Sequence, residues 1–140
     1  MPVRRWHVVV IVAALGALLT GSAIEAVRAA APGASPRTVT VAAFPVSVTA
    51  GDYDLYDFVV DFPPGSATPR HVHGGPVVVT VVAGQLVLQR GGSERVVKTG
   101  ESFLEVPGDV HALVNRGAVP ARISAAELIP KGAEETTVVK

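Results

Sequence analysis

The chain has 140 residues, enough for one domain around one buried core. Hydrophobic residues make up 49% and charged residues 17%, which excludes disorder along the whole chain. Lys+Arg 12 balance Asp+Glu 12, which argues against nucleic acid as a partner, and the absence of cysteine excludes disulfides, thiolate metal sites and thiol catalysis.

The first segment, residues 1–29, has the three parts of an export signal. Arg4 and Arg5 give a basic start, and Val8 to Leu19 is an apolar run broken only by the small Gly16. Small residues follow at Ala23 and Ala29, after either of which cleavage would fit. The same segment read as an uncleaved membrane anchor falls short of the roughly 20 apolar residues that a span needs. A buried helix is the third reading. The segment thus predicts export to the periplasm, cell envelope or medium, with contact to the membrane only if it is retained. Residues 30–37 hold Pro32 and Pro36 among small residues and read as a linker.

From Thr38 the chain reads as short strands. Valine dominates, with 27 copies in the chain, and β-branched side chains favour pleated backbone. The strand-like pieces are Thr38–Phe44, Tyr53–Phe62, Val77–Val82, Gln85–Arg90, Arg95–Lys98, Ser102–Val106, His111–Asn115 and Ala121–Leu128. In Tyr53–Phe62 the apolar residues Tyr56, Phe58, Val60 and Phe62 alternate with Asp57 and Asp61, so one face is predicted inside. Val77–Val82 is nearly all apolar and reads as buried on both faces. Turn pairs such as Gly91-Gly92 and Pro107-Gly108 space the pieces evenly. The pattern predicts an all-β sandwich or small barrel over residues 38–129. Residues 130–140 read as a loose tail or a short edge strand. Val77, Val79, Val81, Leu86, Leu88, Leu104 and Leu113 are the predicted core, and Tyr53, Tyr56, Phe58 and Phe62 are read as core aromatics.

Beyond the first segment there are three histidines. His71 and His73 are two apart, so in extended backbone both imidazoles point to one face. His111 follows a turn 38 residues later and reaches the same place if its strand lies alongside. Three converging neutral imidazoles make a metal site with open positions. The plain alternative is a solvated His-x-His pair on a surface strand.

Two stretches resemble the motifs of the cupin superfamily. Gly65, five residues, His71-Val72-His73 and a strand ending at Gly84 is similar to the first motif. Gly100, five residues, Val106-Pro107-Gly108, two residues, His111, three residues and Asn115 is similar to the second. The resemblance implies a double-stranded β-helix, or jelly roll, with His71, His73 and His111 holding a divalent ion such as Fe, Mn, Zn or Ni. It also implies a small-molecule ligand and a homodimer; separately, a short barrel has edges to cover, and Thr38–Ser47 is the segment that could exchange between copies.

The sequence departs from the pattern in two places. Val106 stands where the second motif has proline. Val77 and Val78 stand where the first motif carries a glutamate ligand. A site of three neutral histidines leaves the full charge of a divalent ion uncompensated and favours an anionic or chelating ligand. It is similar to the three-histidine site of thiol dioxygenases. Loss of the glutamate also fits a non-catalytic ligand-binding or sensing barrel. Glu105 is expected to point outward, with Leu104 and Val106 facing in. Asp109 is read as a turn residue or a partner behind His111, Asn115 as a loop anchor or substrate contact, and Val77 as a pocket wall. The sequence reading is therefore an exported, metal-binding barrel with possible dioxygenase-like activity, or alternatively a binding module.

Overall fold

The computed structural model describes residues 38–140. The export segment and linker read over residues 1–37 lie outside them. Nine strands form among the described residues: β1 (Tyr53–Phe62), β2 (His71–His73), β3 (Val77–Ala83), β4 (Gln85–Arg90), β5 (Ser93–Lys98), β6 (Ser102–Glu105), β7 (His111–Val114), β8 (Ala121–Pro130) and β9 (Thr136–Val138). They build two antiparallel sheets, ordered β1-β8-β3-β6 and β5-β4-β7-β2-β9. No helix forms among the described residues, so none is long and apolar enough to cross a membrane.

Alternation sets which side chains enter the core. On β8, Ala121, Ile123, Ala125 and Ile129 point inward, and Glu127 shares their face. Phe58, Val60 and Phe62 of β1 extend that apolar surface, as their spacing predicts. Leu86, Leu88, Val97 and Leu113 of the second sheet pack against it. Full burial of a valine, leucine, isoleucine or phenylalanine among them gains about 1.5–3 kcal/mol.

The structure corrects several expectations. Thr38–Phe44 forms no strand, because no neighbour supplies a ladder among the described residues; Val39 and Val41 are exposed. β3 is buried on one face only: Val77, Val79 and Val81 are inside, while Val78 and Val82 lie outside. Tyr56 is exposed, and Tyr53 is half-buried outside the core with its hydroxyl donating to Thr49 O, since burial along β1 falls away from Phe62 toward the start of the strand. The last correction concerns β6, where the predicted alternation holds but its phase is shifted by one. Phe103 and Glu105 face in, and Leu104 faces outward beside Val78. The bulk of Phe103 wins the inward position, and a shift of one residue exchanges the two faces. The last residues pair as β9 along β2, with His71 opposite Val138 and His73 opposite Thr136.

At the surface, Arg116 clasps Glu94 of β5, with Nη1 donating to Oε2 at 2.7 Å. Arg116, with help from Gln89, holds the Glu94 carboxyl down to about 2, against an ordinary 4.5. A carboxyl lowered on folding contributes stability above its unfolded value, and that contribution is lost as pH falls from about 4.5 through about 2. Salt screening keeps it small at this exposed site. An NMR titration is expected to place the Glu94 midpoint near 2 and to move it up toward 4.5 in Arg116→Ala. A native midpoint already near 4.5 would show that the pair is open in solution.

Candidate metal centre

The short strand β2 carries two imidazoles to one face, and β7 lies beside it with His111 paired opposite His71. All three rings are buried. Their candidate ligand atoms lie within 4.8 Å of one another. The spacing read from the sequence is therefore realised by adjacent strands of a single sheet.

Each ring is fixed from behind by a backbone carbonyl. His71 Nδ1 donates to Pro69 O at 2.8 Å, and His111 Nδ1 to Asp109 O at 2.8 Å. His73 Nδ1 donates to Glu135 O at 3.1 Å. A carbonyl only accepts, so every Nδ1 bears the hydrogen and every neutral ring offers its Nε2 lone pair. This is how metal-ligating histidines are usually oriented. Gly74 makes the His73 anchor possible. A Cβ there would overlap the carbonyl of Glu134, so only glycine lets the segment before β9 pass this close.

Glu105 is the residue that the sequence reading misplaced. It enters the site from β6, is only 2% exposed, and puts Oε2 3.2 Å from His73 Nε2 and Oε1 3.0 Å from His111 Nε2. The last two atoms make no hydrogen bond despite their separation. A lone pair facing a carboxylate oxygen without a hydrogen between them calls for a positive charge. Two ligands each about 2.1 Å from one ion and roughly a right angle apart would be about 3.0 Å from each other. The three imidazoles form a group that could hold a metal ion, and Glu105 reaches two of them, so the donors suit a divalent ion in their chemistry.

Register explains where the carboxylate comes from. Val77 of β3 stands opposite Glu105 of β6 on one side and Glu127 of β8 on the other. The carboxylate reaches the centre from one strand over. The missed signal was an acidic residue two places from Phe103 on an inward face. Glu127 shows the same signal on the β8 stripe, and its Oε1 comes within 2.8 Å of His73 Nδ1.

Electrostatics follow from this packing. Burial opposes ionisation of Glu105, but His111 and His73 outweigh it and hold the carboxyl at about 2. Burial lowers His71. Burial alone would lower His73 too, yet Glu105 and then Glu127 turn the net shift upward. Burial raises Glu127.

The other sequence candidates fall into place as follows. Asp109 serves His111 through its backbone, while its carboxylate turns toward Arg90 at 3.8 Å. Val77 lines the cavity beside the centre. Asn115 is an anchor: Nδ2 donates to Phe62 O at 2.8 Å and Val119 O at 2.9 Å, and Oδ1 accepts from Gly117 N at 2.9 Å. Its removal strands three backbone groups. Asn115→Ala is expected to cost about 2 kcal/mol or more in chemical denaturation; a cost below about 0.5 kcal/mol would reject the anchor role.

Comparison with known proteins agrees with this geometry. The Cupin domain family model matches residues 58–127. Among curated proteins, none is close enough in sequence to count as a relative. Among solved structures, oxalate oxidase in complex with the substrate analogue glycolate is 26% identical with a TM-score of 0.53, over 61% of this chain and 46% of that one. The chain thus spans about half of that protein's length. A conserved protein of unknown function from Streptococcus pyogenes is 22% identical, with a TM-score of 0.51 over 56% of this chain and 68% of that one. A structure of DMSP lyases shares the fold, at 16% identity and a TM-score of 0.54, over 61% of this chain and 44% of that one.

Proposed function

The chain belongs to the cupin superfamily, and we propose that it binds one divalent metal ion through His71, His73, His111 and Glu105 and uses it on a small molecule. The observation that carries this reading is the set of Nε2 lone pairs meeting a buried carboxylate with no hydrogen between His111 and Glu105. With Glu105 ionised, a divalent ion would keep one net positive charge instead of two. That charge still favours an anionic or chelating donor on the ligand.

A divalent ion held there would supply Lewis acidity and, if it were iron or manganese, redox chemistry toward oxygen. The chain's own part is to hold the ligand atoms rigid, to keep each Nδ1 hydrogen on a carbonyl, and to exclude water with the apolar walls. Oxidase or dioxygenase-like turnover is the reaction class we favour. The likeness to oxalate oxidase and the open positions left by four protein ligands support it. A second reading is a binding module. It is favoured by the cavity's polar inventory: besides the centre, only the hydroxyls of Thr68 and Thr136 line it among the described residues. No independent acid or base stands there. The N-terminal sequence supports export, and the exposed Val39, Val41 and Val46 support exchange of the Thr38–Ser47 segment within a homodimer.

Elemental analysis of the purified chain is expected to find about one divalent ion, and chelation to lower the thermal midpoint. Glu105→Gln and His111→Ala should each weaken metal binding by roughly a hundredfold or more, the upper end of what losing a partner behind a ligand costs. An unchanged midpoint after chelation would reject the metal centre. Aerobic turnover of candidate acids by the iron- or manganese-loaded protein would separate the enzyme from the binding module. Sedimentation should give a dimer that Val39→Asp together with Val41→Asp converts to monomer; an unchanged mass would reject exchange through this segment.

A further inference from the structure

The cavity beside the centre has a volume of about 240 Å³, below the roughly 300–1,000 Å³ typical of drug-sized ligands. Apolar side chains, among them Phe58, Val60, Phe62, Val79, Leu113 and Ile123, form most of its wall. Of the centre, His71, His73 and Glu105 line it, and they are its only ionisable side chains among the described residues. Among the described residues no lysine or arginine lines the cavity. Arg70 and Arg90 line a separate surface hollow with Gly91 and Glu94.

We infer that the ligand is a compact molecule with one donor group for the metal and an otherwise apolar body. This rests on the metal reading above and names the substrate class for that site. A donor carboxylate or enolate would sit at the polar end. Its hydrocarbon part would then replace water along the valine and phenylalanine walls, and the gain should scale with the apolar area covered. A second charged group at the far end would meet no cation, and only the hydroxyls of Thr68 and Thr136 could accept or donate to it. Such a group pays its desolvation without return. The class is therefore distinct from small dianions such as oxalate, whose two carboxylates leave no hydrocarbon to bury.

The test uses the full chain loaded with cobalt(II), whose visible absorption reports both loading and ligand binding. Titration with acetate, butyrate and hexanoate is expected to show Kd falling about fourfold per methylene until the cavity fills. Succinate, with the same four carbons as butyrate, should bind at least tenfold more weakly than butyrate. Ala125→Leu, which fills part of the cavity, should reduce the gain with chain length, and Val60→Leu serves if that variant does not fold. A Kd independent of chain length, or succinate binding as well as butyrate, would overturn the inference while leaving the metal reading intact. If cobalt does not bind, the metal reading falls. The cavity is then judged on metal-free protein by methyl NMR. Shifts at Val79 and Ile123 that grow from butanol to hexanol and are absent with 1,4-butanediol uphold the apolar class, and their absence overturns it.

Discussion

The site depends on one buried negative charge. Glu105 lies almost fully out of solvent, and no lysine or arginine side chain pairs with it among the described residues. An isolated carboxylate in such surroundings would cost several kcal/mol and would protonate instead. Burial raises its carboxyl while His111 and His73 draw it down, and that draw requires positive charge on the imidazole side. Those imidazoles can balance it in only two ways, by taking up a proton or by sharing a cation. Their Nδ1 hydrogens are already committed to Pro69, Asp109 and Glu135 carbonyls, which leaves the Nε2 side to carry the balancing charge.

The backbone supports this arrangement at each step. Strand pairing sets His111 opposite His71, and the two-residue repeat of β2 adds His73 on the same face. The first sheet then brings Glu105 across from β6. The anchors behind the rings come from main-chain atoms, which a surface substitution does not remove. Asn115 works at a distance, tying the end of β1 and the β7–β8 connection together so that β7 holds its place. The segment leading into β9 closes the set, because it supplies the carbonyl behind His73 and the strand that covers the edge of β2.

The His71 and His73 pair was legible from a local rule, since i and i+2 share a face, whereas the addition of His111 is a long-range pairing that only the resemblance of the two motifs indicated. The number and bounds of most strands followed from alternation and turn residues. Glu105 was not legible from alternation alone, which gives the period of a strand but not its phase. Phase was decided by Phe103, whose bulk competes for the core from the neighbouring position. Thr38–Phe44 has the composition of a strand, yet a strand also needs a partner ladder, and that is a tertiary fact. Tyr56 has the right parity for the core but sits beyond the area that the second sheet covers.

The two sheets divide the work. β2 and β7 of one sheet supply the imidazoles, whereas β1, β3 and β8 of the other supply most of the apolar wall. β6 crosses that division by adding Glu105 to the centre, and β7 crosses it the other way by adding Leu113 to the wall. An apolar wall does more than accept hydrocarbon. By lowering the local dielectric it strengthens each interaction at the polar end, so the same valines and phenylalanines that select the ligand's body also tighten the centre's hold on its donor. The separation has a consequence for specificity. Substitutions along β1 or β8 change the shape and polarity seen by the ligand's far end without removing a donor from the centre. Specificity on this scaffold can therefore change through wall residues while the donor set stays fixed.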